Sequence, residues 1–267
     1  MKTIGCIGCG NMGGAVMKAF SRRGGYRLAA VDHTPAKIEA LNAQGGEPIE
    51  VCPDEAALIR RSDVVLLSVK PQHVGAVWPS LREALDAGKI LVSMCAAVGT
   101  DVLRRETGGA CPVARIMPNL PAKIGKGVTA LCLDDPKLTA EDKDFLRDLF
   151  AALGTVVVIP EGKFGAFTAL AGCGPAYVAL FMEGMQQAAV TLGFTAQQAD
   201  AIVAGTVEGS AALAMAEKQS FADLRIRVCS PGGVTIHAVN HLERTAVRGH
   251  VTDAVLAAYE KDCALKK

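Results

Sequence analysis

Thr3-Ile4-Gly5-Cys6-Ile7-Gly8-Cys9-Gly10-Asn11-Met12-Gly13-Gly14 is the stretch whose reading decides the fold. The apolar run Ile4, Cys6, Ile7 leads into Gly8, Gly10 and Gly13, and then into Ala15-Val16-Met17-Lys18-Ala19-Phe20, which reads as a helix. Strand, glycine turn and helix follow in that order. In such a turn the first glycine permits a tight bend, the second lets a pyrophosphate approach the backbone, and the third lets helix and strand pack closely. The first-turn N–H groups and the positive end of the helix dipole then face the phosphates. A second apolar run, Leu28-Ala29-Ala30-Val31, ends at Asp32, nineteen residues after Gly13, where an acidic residue meets an adenosine ribose. The stretch therefore predicts a dinucleotide site lined by Gly8, Cys9, Gly10, Asn11, Met12, Gly13 and Asp32.

Working outward, short β-like runs alternate with helical ones as far as Pro160, which predicts a mostly parallel, doubly wound sheet with helices on both faces. Residues 63–69 form the clearest buried strand, and 90–94, 113–117, 128–133 and 155–159 continue the series. Ligands of such sheets sit beyond the carboxyl ends of strands. The turns Val69-Lys70-Pro71 and Cys95-Ala96-Ala97 are therefore further candidates to line a cofactor. Glu161-Gly162-Lys163 reads as a junction, which divides the chain into 1–160 and an almost wholly helical 161–267. Pro175 opens a helix that Gly193 ends, and Thr195 can cap the next, which runs to Met215. That second helix is apolar almost all round, and a domain of about a hundred residues has little interior to hide it. Burial between subunits, hence at least a dimer, is the expectation.

Composition narrows the field. A net charge of +1 and no basic stripe interleaved with aromatics predict no nucleic-acid partner. No apolar run is expected to reach the ~18 residues of a membrane span, residues 175–192 being interrupted by Glu183, Gln186 and Gln187. The N-terminus enters a strand without a leader pattern, and nine cysteines in no paired framework suit a reducing compartment, so the expected location is the cytoplasm. Cys6 and Cys9 make one CxxC. Because Cys9 lies between two glycines of the turn, the pair is read as small residues beside a cofactor rather than a redox motif.

Two later segments carry chemistry. In Arg115-Ile116-Met117-Pro118-Asn119-Leu120-Pro121 the prolines fix the backbone around Asn119, whose carboxamide could be aimed above the sheet; an ordinary Pro-rich loop fits equally well. In Cys229-Ser230-Pro231-Gly232-Gly233-Val234-Thr235-Ile236-His237, Ser230 reads as an N-cap and Pro231 as the first helical residue, with the paired glycines leaving the N–H groups bare. Such a helix start suits a substrate carboxylate, and the Thr235 hydroxyl is within reach of the same ligand. His237 and His241 share a helical spacing, but Ala238 stands where a zinc-protease pattern needs Glu and no third ligand is evident, so no metal is expected.

These segments resemble pyrroline-5-carboxylate reductases, through Ile7-Gly8-Cys9-Gly10-Asn11-Met12-Gly13, Val69-Lys70-Pro71-Gln72, Met117-Pro118-Asn119, Gly172-Cys173-Gly174-Pro175-Ala176-Tyr177 and, most specifically, Ser230-Pro231-Gly232-Gly233-Val234-Thr235-Ile236. The resemblance implies reduction of 1-pyrroline-5-carboxylate to L-proline, the last step of proline biosynthesis, by a Rossmann domain joined to an all-α domain that dimerises, with dimers often assembling into a decamer. It implies that Ser230, Gly232, Gly233, Val234 and Thr235 hold the substrate carboxylate, that the Thr235 hydroxyl is the catalytic group at the ring nitrogen, and that Glu161 lies near the substrate. It also places Thr34 and Asn119 with the cofactor residues named above. The cofactor is NADH or NADPH: Asp32 favours NADH, since a carboxylate repels a 2′-phosphate, while Thr34 or His33 could reach such a phosphate.

The chain departs from the family's pattern at Leu120, Ala171, Cys173, Ile226 and Glu55, where polar or amide side chains are usual. Two alternatives are a dehydrogenase of the 6-phosphogluconate type, for which Lys163 and Lys218 offer little context, and a nucleotide-sensing protein without turnover.

Overall fold

The computed structural model describes residues 1–96 and 98–265. They form two compact units, Met1–Gly172 and Cys173–Ala264.

The first unit is built on eight strands: β1 (Thr3–Ile7), β2 (Arg27–Val31), β3 (Ile49–Val51), β4 (Val64–Leu67), β5 (Ile90–Ser93), β6 (Val113–Pro118), β7 (Gly127–Cys132) and β8 (Gly154–Val158). Helices α1 (Asn11–Arg23), α2 (Ala36–Asn42), α3 (Glu55–Arg61), α4 (Val74–Ala84), α5 (Thr100–Glu106), α6 (Ala140–Phe150) and α7 (Phe164–Phe167) accompany them. The sheet order is β3-β2-β1-β4-β5-β6-β7-β8. Strands β1 to β6 run parallel, and the order reverses between β1 and β4, which opens the crevice where such sheets take dinucleotides.

Central strands buried on both faces need unbroken apolar sequence, and β4 (Val-Val-Leu-Leu) is buried at every position. One face of the sheet packs α1 and α6 through Met17, Phe20, Leu146 and Phe150; the other packs α3, α4 and α5 through Leu58, Leu81 and Leu103. Strand β7 is antiparallel to β6 because only the short turn Leu120–Ile124 joins them, far too little chain for a parallel crossover. Strand β3 gives little sequence signal, since only Ile49 of its three residues is buried.

The sequence places the junction at 160/161, whereas the compact division falls at 172/173. Residues between those points pack on the sheet, with Phe164 2% exposed in a cluster with Ala130 and Cys132.

The second unit comprises α8 (Gly174–Thr191), α9 (Ala196–Glu217), α10 (Phe221–Val228), α11 (Val234–Arg244) and α12 (Val247–Leu265). Pro lies in the first turn of α8 and Thr195 caps α9, as the sequence predicts; Gln198 completes a reciprocal box with that cap. Helix α9 runs on to Glu217, two residues past the expected end. Only Ala199, Val203 and Ala214 of α9 are buried within the chain, while Leu180, Phe181, Ile202 and Met215 stand exposed.

One expectation needs correcting here. The stretches Glu161–Thr191 and Ala196–Glu217 each hold a window long and apolar enough to cross a membrane by length and composition. Scattered groups such as Glu183 and Gln186 are too few to lower the average. Only 17% of each window is buried within the chain.

Candidate active site

The turn after β1 divides the labour of its glycines as the sequence predicts. Gly8 has φ +94, and a Cβ there would also stand 2.7 Å from the Ser68 carbonyl oxygen. A Cβ on Gly13 would meet the Gly8 carbonyl oxygen at 2.1 Å and Ser68 Oγ at 2.7 Å, so only glycine lets α1 close on the strands. Gly10 has nothing within 4 Å of where a Cβ would stand. Gly10 is also the N-cap of α1, with no side-chain cap bond, so the first-turn N–H groups face open space rather than a side chain. A pyrophosphate fits this cradle. Ser68 escaped the sequence reading; its signal is its place just past β4, beside β1 in the sheet order.

Asp32 is in place but differently occupied. Its Oδ2 accepts from Cys9 N–H at 2.8 Å, and its Oδ1 accepts from Thr34 N–H at 2.9 Å and from Lys37 Nζ at 3.0 Å. The side chain is 3% exposed. The carboxylate thus ties the end of β2 to the middle of the glycine turn instead of standing free. Burial alone would push its pKa up, but the Thr34 hydrogen bond, Lys37 and the Cys9 hydrogen bond outweigh it, and Asp32 titrates below the usual Asp range. Lys37, in the first turn of the following helix, was the missed partner.

The turns after β4 and β5 are tied together. Cys95 Sγ donates to the Val69 carbonyl at 3.1 Å, and Cys95 N–H donates to Ser93 Oγ at 3.1 Å. Cys95 is buried, and desolvation raises its pKa, which makes it a structural thiol. Lys70, Pro71 and Ala96 are exposed at the same edge, and Ala97 lies outside the described residues. Cys6 and Cys9 are both buried, and a hydrogen bond to Cys9, with burial, holds the Cys6 pKa well above the ordinary thiol value.

Asn119 is engaged with its own chain. Its Oδ1 accepts from Val128 N–H at 2.9 Å and its Nδ2 donates to the Ala171 carbonyl at 3.0 Å. Asn119 is 8% exposed, and its carboxamide is engaged with backbone on two sides, at the start of β7 and at the end of the helical segment 168–172. The sequence leaves two readings open for this loop, and the structure shows the carboxamide bonded to its own chain.

In the second unit, Ser230 is not the N-cap and Pro231 is not the first helical residue. Gly233 N–H donates to the Ser230 carbonyl at 3.1 Å, closing a turn with Pro231 next and then Gly232 at φ +65. Pro followed by a positive-φ glycine is type II turn chemistry, and it overrides the Ser-Pro capping pattern. Helix α11 begins at Val234 with Gly233 as N-cap and no side-chain cap bond. A Cβ on Gly233 would meet Ser230 Oγ at 2.2 Å, which explains the second glycine. Val234 and Thr235 are exposed, and His237 Nδ1 lies 2.9 Å from the Gly233 carbonyl, to which it donates. The bare helix start survives the correction, displaced by three residues. Among the described residues no group of three His, Cys, Asp or Glu could hold a metal.

Arg115 and Glu161, far apart in sequence, meet in an ion pair of the first unit, with side chains 6% and 30% exposed. Sequence spacing gives no hint of it, because strand and junction are brought together only by the fold.

Comparison with known proteins bears on this geometry. Residues 161–265 match the family described as pyrroline-5-carboxylate reductase dimerisation, and residues 3–97 match that described as NADP oxidoreductase, coenzyme F420-dependent. The pyrroline-5-carboxylate reductase of Escherichia coli is 34% identical, covering 100% of this chain and 99% of its own. Among solved structures, that of a pyrroline-5-carboxylate reductase from Coxiella burnetii superposes with a TM-score of 0.90 at 29% identity, covering 100% of this chain and 99% of the other. A Plasmodium falciparum pyrroline carboxylate reductase with NADP bound gives a TM-score of 0.84 at 27% identity, covering 100% and 98%.

Proposed function

This chain belongs to the pyrroline-5-carboxylate reductase family, and from that premise we infer that it reduces 1-pyrroline-5-carboxylate to L-proline with NAD(P)H, the last step of proline biosynthesis. It is a nicotinamide-dependent oxidoreductase and a homo-oligomer. The observation that carries the reading is full-length similarity to such reductases in a chain whose two uncapped helix starts, at Gly10 and Gly233, lie in the two matched segments. The comparisons favour neither a 6-phosphogluconate-type dehydrogenase nor a non-catalytic sensor.

The residue roles are our proposal. The start of α1 holds the pyrophosphate, with Gly8 and Gly13 shaping the cradle and Gly10 leaving room for it. In the second unit the N–H groups of Gly232 to Thr235, with Ser230, hold the substrate carboxylate, and the Thr235 hydroxyl fixes the ring nitrogen. The bound cofactor supplies a hydride, which goes to the imine carbon while the nitrogen keeps or gains a proton. A protonated cyclic imine is already electrophilic, so orientation by these turns supplies most of the rate without a dedicated general acid. We further propose a dimer built on the exposed apolar faces of α8 and α9, a decamer of such dimers, and residence in the cytoplasm, where nine free thiols are at home.

For the cofactor we propose a preference for NADH, exerted through the charge of Asp32 rather than by a bond to the ribose, since both its oxygens serve the chain. Initial rates with pyrroline-5-carboxylate, measured side by side with NADH and NADPH, test the reading. NADH is expected to give the higher kcat/KM, and Asp32→Asn to shift the ratio toward NADPH. No oxidation of either cofactor would sink the activity, and an NADPH preference that Asp32→Asn leaves unmoved would sink the role of Asp32.

A further inference from the structure

The carboxylate at the end of β2 is not a bare charge. Asp32 is held at three points: its Oδ2 accepts from Cys9 N–H at 2.8 Å, and its Oδ1 from Thr34 N–H at 2.9 Å and from Lys37 Nζ at 3.0 Å. The exposed His33 ring stands beside the same oxygen, its Nδ1 3.3 Å away. Because the Asp32 side chain is buried, a group resting at the end of β2 meets what surrounds the carboxylate before the carboxylate itself. What surrounds it is a cation. Lys37 carries three N–H donors on a flexible stem, gives one of them to Asp32, and keeps its side chain 40% exposed. It lies in the first turn of α2, where the helix dipole disfavours a positive charge, so the anion beside it is what holds it there.

We propose that Lys37 is a specificity-determining residue, which sets how strongly the protein distinguishes NADPH from NADH by offering its ammonium to a 2′-phosphate in place of Asp32. The proposal rests on the reading that the adenosine ribose lies at the end of β2. A phosphate monoester brings a charge of about −1.5 to −2 at neutral pH and three acceptor oxygens. An unpaired carboxylate repels such a group, whereas an Asp–Lys pair presents nearly no net charge and a donor able to turn toward it. The turn survives that exchange, because Asp32 keeps the N–H groups of Cys9 and Thr34 when Lys37 leaves. Asp32 thus sets the preference for NADH, and Lys37 limits it.

The test is binding without turnover. NADH and NADPH are titrated calorimetrically into the whole chain with no substrate present, and the ratio of dissociation constants, NADPH over NADH, is compared across variants. The folded fraction scales both constants alike and leaves the ratio untouched. Lys37→Met, which keeps the apolar stem and removes the charge, is expected to raise the ratio about tenfold, the worth of one charge-assisted hydrogen bond. Lys37→Arg keeps a cation and should hold the ratio near that of wild type. ADP-ribose and its 2′-phosphorylated form, which lack the nicotinamide, should show the same rise in Lys37→Met, locating the effect at the adenosine end. An unmoved ratio in Lys37→Met overturns the proposal, as does a Lys37→Arg ratio equally high, a rise absent from the two fragments, or a ratio that follows His33→Gln instead. Should Asp32→Asn shift the ratio while Lys37→Met does not, the role of Lys37 alone fails. Should neither shift it, the ribose lies elsewhere and the reading beneath the proposal fails too.

Discussion

The two uncapped helix starts are built by opposite means. The α1 start is held by the tertiary structure: Asp32 grips Cys9 N–H from β2, Ser68 fills the space under Gly13, and Cys95 ties the neighbouring turns together. The α11 start is held by its own four residues, Pro231 and Gly232 turning the chain and Ser230 closing over Gly233, and its side chains stand in the open. The first is a finished socket within one chain. The second is a locally fixed turn whose first helical residue, Val234, is 89% exposed. A socket fixed by distant contacts should fail as a unit when one contact is spoiled, whereas a locally fixed turn should lose only what its own residues supply.

The largest effect should come from Gly13→Ala. The added Cβ meets the Gly8 carbonyl oxygen at 2.1 Å, and neither strand nor helix has room to yield. Overpacking of this sort costs about 1–3 kcal/mol. Thermal melts of the apoprotein should show a lower Tm, and the stabilisation that NADH confers on wild type should vanish. Retention of both would mean that the turn is not the rigid element described here.

Thr235→Ala tests the locally fixed turn. Loss of one hydroxyl hydrogen bond is worth about 0.5–1.5 kcal/mol, or up to about tenfold in kcat/KM for pyrroline-5-carboxylate. Titration of NADH should be unchanged within about twofold and the Tm should not move, since Thr235 is exposed at the start of its helix. Equal losses in cofactor binding and turnover would erase the distinction between the two turns.

The same contrast marks what could be read from sequence. The glycine spacing, the strand series and the apolar character of α9 are local patterns, and each appears where the residues put it. Asp32 was correctly located, but its bonds reach Cys9, twenty-three residues away, and no spacing rule says which donors a buried carboxylate will collect. The sequence leaves Asn119 open to two readings for the same reason, its partners being Val128 and Ala171. Ser230 misled differently: Ser-Pro satisfies the capping template, and only the positive φ of Gly232 reveals that a turn intervenes before the helix. Arg115 and Glu161 lie forty-six residues apart and pair through the fold alone.

Asp32→Asn should have an intermediate effect, visible in its pH dependence. The folded pKa of Asp32 is depressed, so its contribution is fully present above the unfolded value of about 3.9 and is lost as pH falls through the folded value. At neutral pH the variant, which keeps a neutral acceptor for Cys9 N–H, should lose about 1–2 kcal/mol in urea unfolding as a charge-assisted bond becomes a neutral one. As pH falls through the folded value the two proteins should converge. A difference that stays constant from neutral pH down through that range would show that the charge of Asp32 does not support the turn.

Gly10→Ala should have the smallest effect on the fold, and it separates the α1 socket's rigidity from its openness. Gly10 has φ −70 and ψ −163, extended backbone that alanine adopts freely, and nothing lies within 4 Å of the new Cβ. Removing a glycine from the unfolded ensemble at a compatible site stabilises by about 0.4–1 kcal/mol, so the apoprotein Tm should hold or rise slightly. The same methyl occupies the approach that a pyrophosphate requires, so NADH should bind severalfold more weakly. Opposite signs for stability and affinity are what an unfilled space reserved for a ligand predicts, and no structural role for Gly10 produces them. If affinity and Tm instead fell together, the space above Gly10 would be part of the packing, and the pyrophosphate would have to lie elsewhere along the crevice.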